Sequence, residues 1–205
     1  RGRDEPATNR YDKQTDIFGA SGGASMYRVS MLEKIGLFDQ DFFAYYEDID
    51  LSFRAQLAGW KVAFVPTSLV YHEQGKTSAR LAKRKEGDRA ATPFTTKQYM
   101  KNLPFILVKD MPAGLLWRVL PRFLLAYTLF FLKAFPDGRG KGALQGAGLF
   151  WLHLPKKITQ RWHIQKNRKV SNKYLWNIFV HDLPPNAYKL RKLRTIWRKV
   201  TFRQA

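Results

Sequence analysis

Charge is distributed so unevenly along this chain that it divides the sequence into two parts. Residues 1–78 carry 9 Lys+Arg against 11 Asp+Glu, whereas residues 79–205 carry 27 against 5. The first part is near-neutral, as in an ordinary globular domain, and the second has a net charge of +22. A region with that charge is typical of proteins that bind a polyanion, either anionic lipid or nucleic acid.

Helices and strands are predicted to alternate in the first part. A helix over 29–35 should end at Gly36, because glycine readily adopts the left-handed backbone found at many helix ends. A second helix is predicted from Glu47 to Ala58, since acidic residues are stabilising near a helix N-terminus. A strand and loop over 17–28 and a strand over 61–65 complete an α/β pattern.

The remaining sequence is predicted to contain a linker and a helical region. Residues 79–98 are polar and charged, which is typical of a linker. Residues 99–205 are predicted to be helical, with prolines at 104, 112 and 121 dividing the helices into short segments. Residues 1–16 lack the apolar stretch of a signal peptide, and the chain is expected to be part of a longer protein. Cysteine is absent, which excludes disulfides and thiolate chemistry.

Residues 115–135 are long and apolar enough to be compared with a transmembrane helix. At 100° per residue, Arg118, Arg122 and Lys133 share one face within about 60°. Arginine at the bilayer centre costs roughly 2.5 to 3.5 kcal/mol. A helix in the plane of the membrane surface avoids this cost, because its basic side faces the headgroups and its apolar side enters the acyl boundary. The sequence therefore predicts an interfacial helix and not a span.

The end of the chain strengthens the prediction of membrane binding. Residues 156–203 contain 14 Lys+Arg and one acidic residue, interleaved with tryptophan. Basic residues mixed with tryptophan favour an anionic membrane surface over nucleic acid. We therefore predict a peripheral protein at the cytoplasmic face of the cell membrane, with no nucleic-acid partner.

A set of residues in a specific order indicates the function of the first part. It comprises Gly22-Gly23, Gly36-Leu37-Phe38-Asp39, Phe42-Phe43, Tyr46-Glu47-Asp48-Ile49-Asp50-Leu51, Arg54, Gly59-Trp60, Pro66 and His72. This set closely resembles the acceptor half of family-two glycosyltransferases, especially the rhamnosyltransferase-like and galactofuranosyltransferase-like branches. The resemblance implies the C-terminal, acceptor-side half of a GT-A catalytic domain over residues 1–78, followed by a basic helical tail that associates with the membrane.

The resemblance assigns the catalytic base to Asp48. A sugar hydroxyl is a poor nucleophile until a nearby carboxylate takes its proton, and a single base facing the leaving nucleotide implies inversion. Glu47 and Asp50 are then expected to bind acceptor hydroxyls or to orient Asp48. The alternative is that these acids only cap the helix.

The resemblance also implies a divalent metal, Mn²⁺ or Mg²⁺, with His72 as one ligand. A neutral imidazole suits Mn²⁺, and the metal would offset the charge of the departing diphosphate. Its usual Asp-x-Asp partners precede this segment in the family, but no Asp-x-Asp occurs before Asp39. The alternative is a histidine at a strand end with only a local hydrogen bond.

Two further features have a functional and a structural interpretation. Gly22 and Gly23 would let the backbone approach the donor or acceptor closely, or they would simply form a turn. Arg54 would contact the diphosphate, or it would pair with Asp50 one helical turn earlier.

Together these features predict an inverting, metal-dependent glycosyltransferase of cell-envelope polysaccharide synthesis. The predicted partners are a nucleotide-diphosphate-sugar donor, a glycan or lipid-linked acceptor and an anionic membrane surface. Because the donor half is missing, the chain alone is expected to be inactive. The alternatives are a basic nucleic-acid-binding protein and a membrane scaffold that has kept the fold without catalysis.

Overall fold

The computed structural model describes residues 15–68 and 92–179. Within these residues, β1 (Thr15–Ile17) and β2 (Val62–Phe64) pair antiparallel, with Ile17 opposite Val62. The helices are α1 (Val29–Ile35), α2 (Glu47–Leu57), α3 (Pro93–Lys109), α4 (Ala113–Lys133), α5 (Gly140–Lys166) and α6 (Asn172–Ile178), with a 3-10 turn at Gln40–Phe42. Strand and helix alternate in residues 15–68, whereas residues 92–179 are helical.

The first two helices lie where the sequence predicts them. α1 ends at Gly36, whose φ is 83°, and α2 is followed by Gly59, whose φ is 85°. A residue with a β-carbon would be strained at either position. The two glycines therefore fix the ends of these helices, as predicted from their position in the sequence.

The third helix, α3, begins inside the segment 79–98 that the sequence predicts to be a linker. The N–H of Thr95 donates to Thr92 Oγ1 at 3.1 Å, and the N–H of Thr92 donates to Thr95 Oγ1 at 2.8 Å. This reciprocal capping box, with Pro93 at the first helical position, starts α3 at residue 93. Residues 93–98 are therefore helical and not linker, while residues 79–91 of the predicted linker lie outside the described residues.

The expectation that prolines divide the helical region into short segments is wrong for two of the three positions. Pro104 lies inside α3 and Pro121 inside α4, while Pro112 separates these two helices. An internal proline removes one hydrogen bond and disfavours the preceding turn. In α3 the flanking residues Met100 and Phe105 are fully buried, so tertiary packing holds the helix together across its proline.

α3 and α5 form the most extensive contact between elements. Two buried glycines one helical turn apart allow it. A β-carbon at Gly142 would lie 2.2 Å from the carbonyl oxygen of Pro93, and one at Gly146 would lie 2.3 Å from that of Lys97. No larger residue fits at these positions, so the two backbones meet directly.

One hydrophobic core joins the two parts of the chain. Its buried members are Phe42, Phe53 and Leu57 from residues 15–68, and Phe105, Ile106, Leu107, Met111, Leu115 and Leu175 from residues 92–179. The ring of Phe42 packs edge-on against that of Phe105 at a centroid distance of 5.6 Å. The basic helical region is therefore a structural part of the first domain and not an appendage beyond it.

α4 is the exception to this packing. Leu115 is its only buried residue, and Leu124, Leu125, Leu129 and Leu132 are each more than half exposed. By length and composition α4 could cross a membrane, and only 6% of its most apolar window is buried in the protein. These properties suit a spanning helix and an interfacial helix alike, so the interfacial orientation stays a prediction.

Candidate active site

Asp48 lies in the first turn of α2, and both of its carboxylate oxygens accept a backbone hydrogen bond. Oδ2 accepts from the N–H of Gly22 at 3.0 Å, and Oδ1 accepts from the N–H of Ile49 at 2.8 Å. Asp48 is half-buried and Gly22 is exposed. The structure thus joins two predicted site residues that are 26 positions apart, and it leaves the carboxylate within reach of a ligand.

Gly22 and Gly23 form part of the exposed loop between β1 and α1. A β-carbon at Gly22 would lie 3.6 Å from the β-carbon of Asp48, which is ordinary van der Waals contact. A residue with a β-carbon would therefore fit beside Asp48, so packing against Asp48 does not explain the glycine at position 22. Open backbone for a ligand and a simple turn remain the two interpretations of this pair.

Glu47 precedes Asp48 and is half-buried. Its Oε2 is buried and has no hydrogen-bond partner among the described residues. Buried carboxylate oxygens are usually paired, because an unpaired one loses its hydration without compensation. Glu47 therefore carries an unmet hydrogen-bond acceptor next to Asp48 in the chain.

Asp50 and Arg54 form an internal ion pair. Their side chains are 0% and 7% exposed, and Arg54 Nη2 lies 2.7 Å from Asp50 Oδ2. Arg54 also donates to three backbone carbonyls at the C-terminal end of α1, those of Ile35, Gly36 and Leu37, at 2.7 to 3.0 Å. These contacts support the structural alternative, and the geometry gives no support to a direct contact of either residue with donor, acceptor or diphosphate.

Asp50 belongs to a larger buried ionic cluster, which we define as Asp39, Asp41, Asp50, Lys109 and Lys157. Lys109 Nζ lies 2.6 Å from Asp39 Oδ2 and 2.5 Å from Asp50 Oδ1. Lys157 Nζ is fully buried and lies 2.7 Å from Asp39 Oδ2 and 2.8 Å from Asp41 Oδ2. The cluster therefore ties the 3-10 turn and α2 to α3 and α5.

The charges in this cluster set the protonation of its carboxyl groups. Burial alone would raise the pKa of Asp39, but hydrogen bonds from Lys109 and Lys157, with their charges, hold it well below its usual value. The neighbouring Asp110 is fully buried, and burial together with the charge of Asp50 raises its pKa well above the usual value. These surroundings thus favour the ionised form of Asp39 and the protonated form of Asp110.

The backbone between the 3-10 turn and α2 has an unusual conformation. Phe43, Tyr45 and Tyr46 have φ of 62°, 67° and 72°. Positive φ is rare for residues other than glycine and costs of order 1–3 kcal/mol each. We call residues 43–46 the strained loop. It leads directly into Glu47 and Asp48, so its conformation sets where these two carboxylates point.

Asn102 of α3 holds the strained loop in place. Its side chain is fully buried, and its Nδ2 reaches the carbonyls of Phe42 at 3.0 Å, Ala44 at 2.8 Å and Tyr45 at 2.7 Å. Lys101 adds a hydrogen bond from Nζ to the carbonyl of Asp41 at 2.6 Å. A loop that is strained by itself is thereby fixed by contacts from the helical region.

Aromatic rings cover the other side of the strained loop. Tyr45 and Tyr46 pack edge-on against Tyr99 of α3, at centroid distances of 5.3 and 5.7 Å. Burial, followed by the effects of Tyr99 and Asp48, raises the pKa of Tyr46 to about 12. The Tyr46 phenol is therefore protonated at physiological pH and close enough to Asp48 to be influenced by its charge.

The sequence interpretation missed the four residues that fix this site from outside the first part: Lys101, Asn102, Lys109 and Lys157. They lie in a region that was interpreted as a tail for binding anions. One signal was available: Lys101 and Asn102 stand directly before the apolar run 103–108. Polar residues next to a buried helical run need partners inside the protein.

His72 lies outside the described residues, so the structure does not show its surroundings. Within residues 15–68 and 92–179, no group of three or more histidine, aspartate or glutamate side chains could hold a metal ion. The carboxylates of the buried ionic cluster are paired with lysines instead. The described residues therefore do not form a metal site by themselves.

Comparison with known proteins identifies the first part of the chain. Residues 2–87 match the family model for "Glycosyltransferase like family 2". The chain is also 37% identical over 60 residues to the N-acetylglucosaminyl-diphospho-decaprenol L-rhamnosyltransferases of two strains of Mycobacterium tuberculosis. These matches cover 29% of this chain and 20% of each relative, so the chain spans about a fifth of their length. No solved structure shows significant similarity.

Proposed function

Residues 2–87 belong to glycosyltransferase family two, and from this premise we propose that the chain supplies the acceptor side of a sugar-transferring active site. The donor would be a nucleotide-diphosphate-sugar and the acceptor a hydroxyl of a glycan or glycolipid. The similarity to rhamnosyltransferases named for a diphospho-decaprenol substrate supports a lipid-linked acceptor and a role in cell-wall polysaccharide synthesis.

The hydrogen bond between Asp48 and Gly22 is the observation that carries this proposal. It joins two elements of the family motif at the start of α2, with the unpaired oxygen of Glu47 beside them. The N–H groups of Gly22 and Ile49 orient the carboxylate and leave further lone pairs free. Asp48 can therefore accept a proton from a ligand without leaving its position.

In the proposed reaction, Asp48 takes the proton of the acceptor hydroxyl as the oxygen forms a bond to the anomeric carbon. The bond from that carbon to the diphosphate breaks at the same time, and the nucleotide diphosphate leaves. Attack from the face opposite the leaving group inverts the anomeric carbon. Glu47 would accept a hydrogen bond from a second hydroxyl and hold the acceptor in line.

Asp48→Asn in the full-length natural protein tests the proposal. Turnover should fall by about 10² to 10⁴, the usual contribution of a general base, while donor binding and the unfolding temperature stay unchanged. Glu33→Gln, which neutralises an exposed carboxylate on α1, serves as the control and should leave turnover unchanged. Activity of Asp48→Asn within about threefold of the natural protein would remove Asp48 from this role.

The predicted metal site is tested separately. His72→Ala should raise the concentration of Mn²⁺ or Mg²⁺ needed for half-maximal activity, because it removes one expected ligand. An unchanged metal titration would show that His72 has only a structural role.

Peripheral binding to the cytoplasmic face of the membrane is the third part of the proposal. It is supported by the exposed leucines of α4 and by the net charge of +22 over residues 79–205. The attraction of basic residues to an anionic surface is screened by salt, whereas buried apolar contact is not. The chain should therefore pellet with anionic vesicles, leave them only partly at about 1 M salt, and leave them fully in detergent. Preferential binding to DNA would favour the nucleic-acid alternative.

A further inference from the structure

A cleft lies between the beginnings of α4 and α6. It has a volume of about 270 Å³ and is lined by Gly114, Leu115, Arg118, Asn172, Lys173 and Trp176. A water molecule in the liquid takes up about 30 Å³, so the cleft has room for a group several times larger. Its lining includes two cations and no carboxylate.

Arg118 is held at the cleft by an aromatic ring. The centre of its guanidinium group lies 5.6 Å from the ring centroid of Trp176. Such a contact restricts the planar group and leaves its N–H edge able to bind an anion. Arginine binds phosphate oxygens through two parallel hydrogen bonds, and the exposed Lys173 adds a second positive charge.

The helix that starts at the cleft adds to its positive potential. α4 follows Pro112, has 21 residues, and has no side-chain cap at its N-terminus. The free N–H groups of a helix N-terminus and the helix dipole both favour an anion. Gly114, in the first turn of α4, forms part of the cleft wall.

Asn172 forms the cleft wall opposite α4. Its Nδ2 packs against Gly114, at 2.5 Å from where a β-carbon would stand. The groups that can bind an anion in the cleft are therefore Arg118, Lys173 and the start of α4.

The surroundings indicate that this ligand is a lipid. Residues 111–179 contain 12 Lys+Arg and a single acidic residue, Asp137. The exposed leucines of α4, which are Leu124, Leu125, Leu129 and Leu132, lie on the helix that begins at the cleft. We propose that the cleft between α4 and α6 binds the phosphate headgroup of an anionic phospholipid, while α4 contacts the acyl region. This inference rests on the membrane-surface part of the proposed function.

Vesicle flotation of the 205-residue chain tests the site. The probes are phosphatidylcholine vesicles with and without phosphatidylglycerol. The variant carries Arg118→Gln and Lys173→Gln. The matched control carries Lys141→Gln and Lys166→Gln, which remove the same charge from exposed positions of α5. If the attraction to the membrane surface is diffuse, the cleft variant and the control should lose vesicle binding equally. If the cleft binds a headgroup, the loss of partitioning should be about tenfold larger for the cleft variant.

One further measurement identifies the ligand. Inorganic phosphate at millimolar concentration should not displace the chain from the vesicles. Displacement by phosphate alone would show a site for the free anion and overturn the lipid assignment.

The remaining outcomes separate the inference from the proposed function. Equal losses in the cleft variant and its control, with unchanged circular dichroism in both, would overturn the cleft and leave membrane binding intact. Failure of the unaltered chain to float with any anionic vesicle would overturn both. Neither result would bear on sugar transfer, which Asp48→Asn tests independently.

Discussion

α2 and α4 are built from opposite kinds of sequence, and each lies where hydrophobicity alone would not place it. Six of the 11 residues of α2 are polar or charged, yet eight of the 11 are buried, including Asp50, Arg54 and Gln56. α4 is rich in leucine and phenylalanine, yet Leu115 is its one buried residue out of 21. The comparison shows that burial depends on the partners a residue finds.

The buried polar side chains of α2 have hydrogen-bond or ionic partners. Besides the ion pair of Asp50 with Arg54, Gln56 Nε2 donates to the carbonyl of Phe18 at 2.9 Å. Gln56 Oε1 in turn accepts from the hydroxyl of Tyr174 at 2.8 Å. α4 has few neighbours in the protein, and its apolar area would gain about 25 cal/mol per Å² on leaving water for the acyl region.

The contrast between α2 and α4 would be wrong if the partners of the buried polar residues in α2 added nothing to the stability of the protein. Arg54→Ala removes one of the two cations paired with Asp50 and leaves three carbonyls without a donor. The free energy of unfolding should fall by about 3–5 kcal/mol, measured by urea denaturation. The matched control is Lys156→Ala, whose side chain is 59% exposed and pairs with Asp41. It should cost at most about 1 kcal/mol, and similar losses in the two variants would contradict the prediction.

Removing the amide that holds the strained loop should have the next largest effect. Asn102→Ala removes the amide whose two N–H groups serve the carbonyls of Phe42, Ala44 and Tyr45, and it should lower the free energy of unfolding by about 1–3 kcal/mol. Because the loop aims Asp48, turnover of the full-length protein should also fall, by about 10²-fold. Gln98→Ala, one turn earlier in α3 and also buried, is the control. If both variants lose equal activity, Asn102 has only a general structural role.

The buried ionic cluster predicts how stability depends on pH. The lowered pKa of Asp39 stabilises the protein above its unfolded pKa, near 3.9, and this contribution is lost as pH falls toward the folded value. The raised pKa of Asp110 has the opposite effect on stability. Its contribution is present below the pKa of an unfolded aspartate and is lost as pH rises from that value through the folded pKa. Asp39→Asn should therefore be less stable at neutral pH, with a deficit that narrows below about pH 4 in urea titrations. A loss of stability that does not change with pH would show that the ionisation of Asp39 is not its cause.

Substitutions on the exposed side of α4 should have the smallest effect on stability. Leu129→Ala should change the free energy of unfolding by less than about 0.5 kcal/mol, because Leu129 is 58% exposed. Leu51→Ala, in the buried part of α2, should cost about 2–5 kcal/mol. Binding to anionic vesicles should reverse this order, with Leu129→Ala weakened and Leu51→Ala unchanged while it stays folded. A stability loss at Leu129 above about 1 kcal/mol would mean that α4 packs inside the protein.

Local sequence signals predicted the elements around the site. Gly36 and Gly59 fix the ends of α1 and α2, because the positive φ at these positions would strain any residue with a β-carbon. The order of residues from Gly22 to His72 predicted the family, which the match over residues 2–87 confirms. The capping box at Thr92 and Thr95 was also a local signal, although it was interpreted as part of a linker.

The contacts that aim the site depend on long-range packing. Asn102 lies more than 50 residues from the loop it holds, and Lys157 lies more than 110 residues from its carboxylate partners. Helix periodicity and charge counts do not distinguish a lysine that faces water from one that is buried against two aspartates. The amino-acid sequence by itself determined the ends of α1 and α2, the family motif and the charge of the helical region, since each depends on neighbours along the chain. Only the tertiary structure decided that this basic region completes the core and fixes the strained loop, because that outcome depends on which distant partners satisfy its buried charges.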